Sequence, residues 1–188
     1  IFGGVPYYWS FLKKGQSMAQ NIDRILFEND APLKEEFKYL YASIFRNPQV
    51  HIRIIETLAT KKVGMTREEI IDNSGITNSG DLTKKLEELE SCGFIRKYNS
   101  FGMKKKNAVY QLIDNYTLFY YSFLTDGTND EQFWSHQLNN PAINSWMGLS
   151  FERVCLRHEK QIKMKLGILG VQTEVCSWYC KEDKEKGV

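Results

Sequence analysis

The sequence predicts a mainly α-helical chain with a small β component, ordered as a helical module, a helix-rich module with a two-stranded ribbon, and a partial α/β module. Three observations carry this expectation. Apolar residues recur at helical spacing through most of the chain, two short strand-like stretches (94–98 and 107–113) flank a lysine-rich loop, and residues 171–180 read as a further strand. The 188 residues are 42% hydrophobic, which supplies enough apolar side chain for a core. With 25 basic against 23 acidic residues there is no whole-chain polyelectrolyte signal, so any nucleic-acid surface must be local. No stretch has the roughly 20 consecutive apolar residues of a membrane span, and no signal peptide opens the chain, so no membrane contact and a cytoplasmic location are expected.

The elements follow in order. Gly3-Gly4-Val5-Pro6 is a turn whose proline suits the first position of a helix over 7–14, stopped by Gly15. Ser17 caps a second helix carrying Ile22, Ile25 and Leu26. After the Asn29 to Pro32 break, a third helix (33–45) aligns Leu33, Phe37, Leu40, Tyr41 and Ile44 in one stripe. These 46 residues form the first module, and Asn47-Pro48 closes it.

The second module, 47–114, starts with a helix patterned by Val50, Ile54, Ile55 and Leu58. Thr66 and Glu69 form a capping box that opens a short helix ended by Gly75. A turn at 77–80 leads to a helix with Leu82, Leu86 and Leu89 on one face, closed by Cys92-Gly93, and the two strands follow. Helix, short helix, turn, helix and ribbon is the order of a winged helix-turn-helix. From 115 onward an aromatic helix over 116–124 precedes a long helix at about 148–166. On that long helix Phe151, Val154, Cys155, His158 and Ile162 are expected to line one side.

Catalytic signatures are missing from the sequence: it has no phosphate loop, no H-E-x-x-H and no G-x-S-x-G. Asp30 with Glu36-Phe37-Lys38 imitates a nuclease's acid, acid and lysine, but a helical stripe does not project carboxylates from adjacent strands onto one metal. Cys176 and Cys180 on one strand face would stand about 13 Å apart at roughly 3.3 Å per residue, too far for one zinc or a disulfide. The chain is therefore expected to hold no metal and no cofactor of its own.

Charge is distributed unevenly in the second module. In the helix over 79–92, Lys84 and Lys85 face Asp81, Glu87, Glu88 and Glu90, an acidic balance that suits a phosphate-lined groove poorly. Arg96, Lys97, Lys104, Lys105 and Lys106 make the wing strongly basic, with no acid between residues 94 and 106. Two readings stay open here. Lys84, Lys85 and the wing could clamp DNA phosphates without reading bases, or the module could be a protein–protein interaction module with a solvated basic wing. A free-standing transcription regulator would need base readout, which the acidic helix disfavours.

The ordered motifs resemble the C-terminal part of the archaeal-type ATPases, a branch near the AAA+ and STAND NTPases. Gly3-Gly4-Val5-Pro6-Tyr7-Tyr8 is similar to the glycine-x-proline start of that family's lid, continued by Gln20-Asn21-Ile22 and Leu33-Lys34-Glu35-Glu36. Gly93-Phe94-Ile95 and residues 110–114 resemble its winged helix, and Trp146 to Cys155 with His158 its C-terminal domain of uncharacterised function, which is related to restriction-endonuclease-like nucleases. The resemblance implies a lid remnant, a winged helix and, over 115–188, a linker helix with a truncated nuclease-like domain. Gly4 and Pro6 would lie near nucleotide, and Glu152 would be a remnant of the nuclease-like site. It also implies a parent ATPase using ATP and magnesium, with its own core and DNA as partners and oligomers within reach. The phosphate loop would precede Ile1 and the acidic strand would follow Val188, so neither ATPase nor nuclease activity is expected of this chain.

Overall fold

The computed structural model describes residues 1–99 and 108–173. In chain order its helices are α1 (Pro6–Ser10), α2 (Met18–Leu26), α3 (Glu36–Ile44) and α4 (Gln49–Ala59). Strand β1 (Met65–Thr66), helices α5 (Arg67–Ser74) and α6 (Gly80–Ser91), and strands β2 (Ile95–Tyr98) and β3 (Val109–Leu112) follow. Then come α7 (Asn115–Phe119), a π-helical turn (Tyr120–Leu124), α8 (Phe133–His136), α9 (Pro141–Arg157) and α10 (Glu159–Lys165). The described chain is mainly helical, with one three-stranded antiparallel sheet. It forms two units: Ile1–Gln49 joins Ile113–Val171 in the first, and Val50–Leu112 builds the second.

The first unit is assembled from two stretches far apart in sequence. Ser17 caps α2 by accepting from the Gln20 N–H, and Gln20 reaches back to the Ser17 N–H, so the capping box is complete. Buried Asn21 accepts from Lys13 N–H at 2.8 Å and donates to the Lys13 carbonyl at 3.2 Å, pinning the turn before α2. Asp23, also buried, accepts from the backbone N–H groups of Trp134 (2.7 Å) and Ser135 (3.1 Å) and from the Ser135 hydroxyl (2.5 Å). A carboxylate on α2 thereby satisfies the N-terminal N–H groups of α8, which has no side-chain cap of its own. Tyr116 donates to the Leu33 carbonyl at 3.0 Å, and the Tyr41 and Thr117 hydroxyls meet at 3.0 Å.

Phe119 is fully buried at the middle of this unit. Its ring lies 5.1 to 6.0 Å from those of Phe27, Phe123, Trp134 and Trp146, in tilted or edge contacts. The aromatic stretch predicted as one helix is α7 followed by the π-helical turn, which presents Tyr120 stacked on Phe37 at 3.9 Å.

The long helix differs from the expectation in start, end and buried face. It begins at Pro141, with Asn140 capping the Ala142 N–H, and breaks at His158 before α10. Ile143, Trp146, Ser150 and Arg153 are its buried residues, whereas Phe151 is 69% exposed and Val154 and His158 are exposed. Trp146 decides the rotation, because its ring packs on Phe119, Phe123 and Trp134 and turns the predicted stripe outward. The third-helix stripe is also shorter than expected: Leu33, Phe37 and Tyr41 are buried and Ile44 is exposed. The strand expected over 171–180, with Cys176 and Cys180, lies mostly outside the described residues, both cysteines included.

In the second unit, β3 is central, pairing antiparallel with β1 (Met65 opposite Tyr110) and with β2 (Ile95 opposite Leu112). Leu82, Leu86 and Leu89 of α6 are buried, as are Ile54, Ile55 and Leu58 of α4, and these two helical stripes with Ile70, Ile95 and Leu112 supply the core. Gly64 is the backbone position that admits β1 to the sheet. It has φ +87°, and a Cβ there would stand 2.5 Å from the Tyr110 carbonyl oxygen, so only glycine lets the strand approach β3.

Replacing Asp23 with alanine is expected to lower stability by about 3 kcal/mol, because two N-terminal N–H groups of α8 lose their acceptor. Chemical denaturation of the variant and the parent chain measures the difference.

Candidate nucleic-acid interface

Of the basic residues singled out in the sequence, Lys84, Lys85, Arg96 and Lys97 sit on two elements of the second unit. Thr66 caps α5 through the Glu69 N–H, Glu69 reaches back to the Thr66 N–H at 2.8 Å, and Gly75 ends the helix in the left-handed region at φ +67°. Arg67 then holds the turn into α6, donating to the Asn78 side-chain oxygen at 3.1 and 3.2 Å and to the Ser79 carbonyl at 2.8 Å. Ser79 caps α6. Together these bonds fix where α6 starts and which side it buries.

On α6, Lys84 is exposed. Lys85 is half-buried and pairs with Glu88 at 3.1 Å, and the same carboxylate oxygen meets Nε2 of buried His51 at 2.7 Å. His51 first and Lys85 second hold the Glu88 carboxyl below the ordinary glutamate range. Lys85 is therefore partly committed to an internal charge.

On β2, successive side chains alternate between the two faces of the ribbon. Arg96 donates to Gln111 at 2.9 Å and lies 5.2 Å from the centre of the Tyr98 ring. Gln111 in turn donates to the Lys62 carbonyl at 2.7 Å, and Tyr98 to the Val63 carbonyl at 2.5 Å. Lys97 belongs to the opposite face, exposed, with its ammonium 5.7 Å from the Tyr110 ring centre. Arg96 and Lys97 thus do not share a face, while Lys104, Lys105 and Lys106 lie outside the described residues. Arg67, Gln111 and Tyr98, which orient this surface, were not among the residues the sequence singled out. For Tyr98 and Gln111 the available signal was the period-two alternation within 95–98 and within 109–112.

Gly4, Pro6 and Glu152 belong to the first unit. Gly4 is exposed with open space around it, Pro6 is the first residue of α1, and Glu152 is exposed on α9. The acid and lysine pattern near α3 is dispersed: Glu36 accepts from the Tyr8 hydroxyl at 2.9 Å and Lys38 pairs with Glu35. Among the described residues no group of three or more His, Cys, Asp or Glu side chains is placed to hold a metal ion, and no helix is long and apolar enough to cross a membrane.

No family model, curated protein or solved structure matches this chain.

The Glu69 carboxyl is also held low, by Lys61 first and then by the Thr66 N–H. A depressed folded-state pKa stabilises above the unfolded value of about 4.3 and loses that contribution as pH falls through the folded value. Unfolding followed at pH 7 and at pH 3 is expected to show lower stability at the acidic end, with a smaller pH difference in Glu69→Gln.

Proposed function

We propose that this chain is the C-terminal segment of an archaeal-type P-loop ATPase whose second unit is a winged helix that contacts nucleic-acid phosphates without reading bases. The observation that carries the reading is the arrangement of that unit. Helix, strand, two helices and a strand pair, with the sheet in the order β1-β3-β2, is consistent with a winged helix whose wing is the β2–β3 connection. That connection contains Lys104, Lys105 and Lys106, and exposed Lys84 and Lys97 add charge on α6 and β2. Eleven basic against eight acidic residues fall between Val50 and Leu112, enough for a phosphate contact and too few for tight binding.

The remaining parts of the proposal rest on the order of motifs in the sequence. The helices over residues 1–46 stand for the lid, and α9 with Glu152 stands for the start of the nuclease-like domain. ATP and magnesium belong to the parent's core, since Gly4 and Pro6 by themselves provide no phosphate cradle. This segment would transmit nucleotide state to DNA or to a partner.

A second reading is favoured by one specific observation: Lys85 and Arg96 are engaged within the unit, and α6 is acidic. On that reading the unit is a protein–protein module. Fluorescence anisotropy with two unrelated DNA duplexes separates the two. Phosphate contact predicts equal binding of both duplexes at low salt, with the salt slope reduced by about 3 when Lys104, Lys105 and Lys106 become alanine. Absence of binding, or a slope unchanged in the triple variant, would leave the protein–protein reading standing.

A further inference from the structure

Helix α9 has two faces, and the first unit buries only one of them, through Ile143, Trp146, Ser150 and Arg153. Met147, Gly148, Phe151, Val154, Cys155 and His158 follow one another at steps of one or three residues, which places them within about 120° of the helix circumference on the other side. Cys155 is half-buried, the other five are exposed, and none of the six is a lysine, arginine, aspartate or glutamate. A surface helix ordinarily turns charged residues to water. An outer face without them over about three turns is one that another surface covers.

This face borders a cleft of about 410 Å³ whose other walls include Met18 and Ile22 of α2, Asn115 of α7 and Trp134 of α8. The side chains lining it are uncharged. The Ile1 α-amino group also reaches the wall, where burial lowers its pKa and the Asp114 carboxylate opposes the shift. It is the rim of the cleft, rather than its interior, that stands open to a partner. Around it Met18, Leu138, Met147, Phe151 and Val154 are 39 to 69% exposed. Together they leave roughly 500 Å² of apolar surface in water, near the top of the range for the largest patch on an ordinary monomer. A standard interface buries about 800 Å² on each partner, a little over half of it apolar, so this rim supplies the apolar part of one such interface.

Gly148 indicates what kind of surface covers the face. It lies in the interior of α9, and a Cβ built on it would meet nothing within 4 Å. Nothing inside the chain calls for glycine there, although glycine is the poorest helix former after proline. What a missing side chain gives an outer helix face is close approach by another backbone, and a helix packed across α9 brings one. A second α9 matches this face in area and in lack of charge, and a two-fold pairing needs only one self-complementary patch.

We infer that α9 is a dimerisation helix: two copies of the chain pair through this face about a two-fold axis perpendicular to α9 near Phe151. The two α9 helices then run antiparallel, the two Phe151 rings meet, and each Gly148 faces the Val154 of the other copy. Met18 and Leu138 are covered at the edges of the same contact.

Sedimentation equilibrium of the full chain over about 1 to 100 µM tests the pairing, because interfaces of this area have dissociation constants of micromolar or below. The parent chain is expected to reach twice the chain mass and go no further, at low and at high salt alike, since no ion pair crosses the contact. Phe151→Glu sets two carboxylates against each other near the axis and is expected to leave a monomer with unchanged circular dichroism. Gly148→Leu fills the space for the approaching backbone and is expected to weaken association at least about 100-fold. The same change improves helix propensity, so the melting temperature of the dilute, monomeric chain should rise by about 2 to 4 °C, which separates loss of pairing from loss of folding. A parent chain that stays monomeric throughout that range would overturn the inference and leave the face to a protein of different sequence. A dimer that survives Phe151→Glu or Gly148→Leu would overturn it as well, since the copies would then meet elsewhere, and growth past the dimer would contradict a closed two-fold contact. The face lies wholly in the first unit, so none of these results bears on the phosphate-contact reading of the second.

Discussion

The buried carboxylate of Asp23 is the constraint on which the first unit depends. It sits on α2 and accepts from the first turn of α8, more than a hundred residues later, so the two sequence stretches of the first unit are bonded to each other. A charge buried this deeply is tolerable only when its lone pairs are filled, and two backbone N–H groups and a hydroxyl fill them. With that junction made, Phe119 gathers rings from both stretches, and Tyr116 and Tyr41 add hydrogen bonds across the same seam. The cleft of about 410 Å³ is a consequence of the same assembly, since its walls come from α2, α7 and α9 and exist only while those stretches stay together.

The second unit is held by local rules instead. Caps at Thr66 and Ser79, a left-handed glycine at 75 and the Arg67 clasp on the intervening turn set the two helices, and the leucine face of α6 follows from them. Much of its charge is spent internally, as with Glu88 between His51 and Lys85 and Glu69 beside Lys61. Among its described lysines, Lys84 and Lys97 stay exposed. The proposed phosphate contact would therefore be weak and sequence-tolerant.

Signals confined to neighbouring residues were legible in the sequence. The Thr66–Glu69 box, Ser17 as a cap, Gly75 as a stop and the spacing of Leu82, Leu86 and Leu89 each report on one helix, and each is found where expected. Strand β1 was not legible, because two residues show no alternation and its pairing depends on the close approach that Gly64 permits. The buried face of α9 was misjudged for a related reason. Its apolar residues occupy more than one stripe, and only contact with Phe119 and Trp134, remote in sequence, selects the stripe containing Trp146. The side-chain oxygens of Asn115 and Ser150, buried without a hydrogen-bond partner, carry no sequence signature at all, since burial without a partner is a property of packing.

Native-state amide hydrogen exchange on the full chain tests the two-stretch assembly most directly. If α2 and the α7–α8 region open as one cooperative unit, their slowest amides share one opening free energy and their protection factors agree within about tenfold. Strong protection of α2 beside α7 and α8 amides that exchange about a thousandfold faster would contradict it, and would remove the common frame on which both the Asp23 junction and the cavity depend.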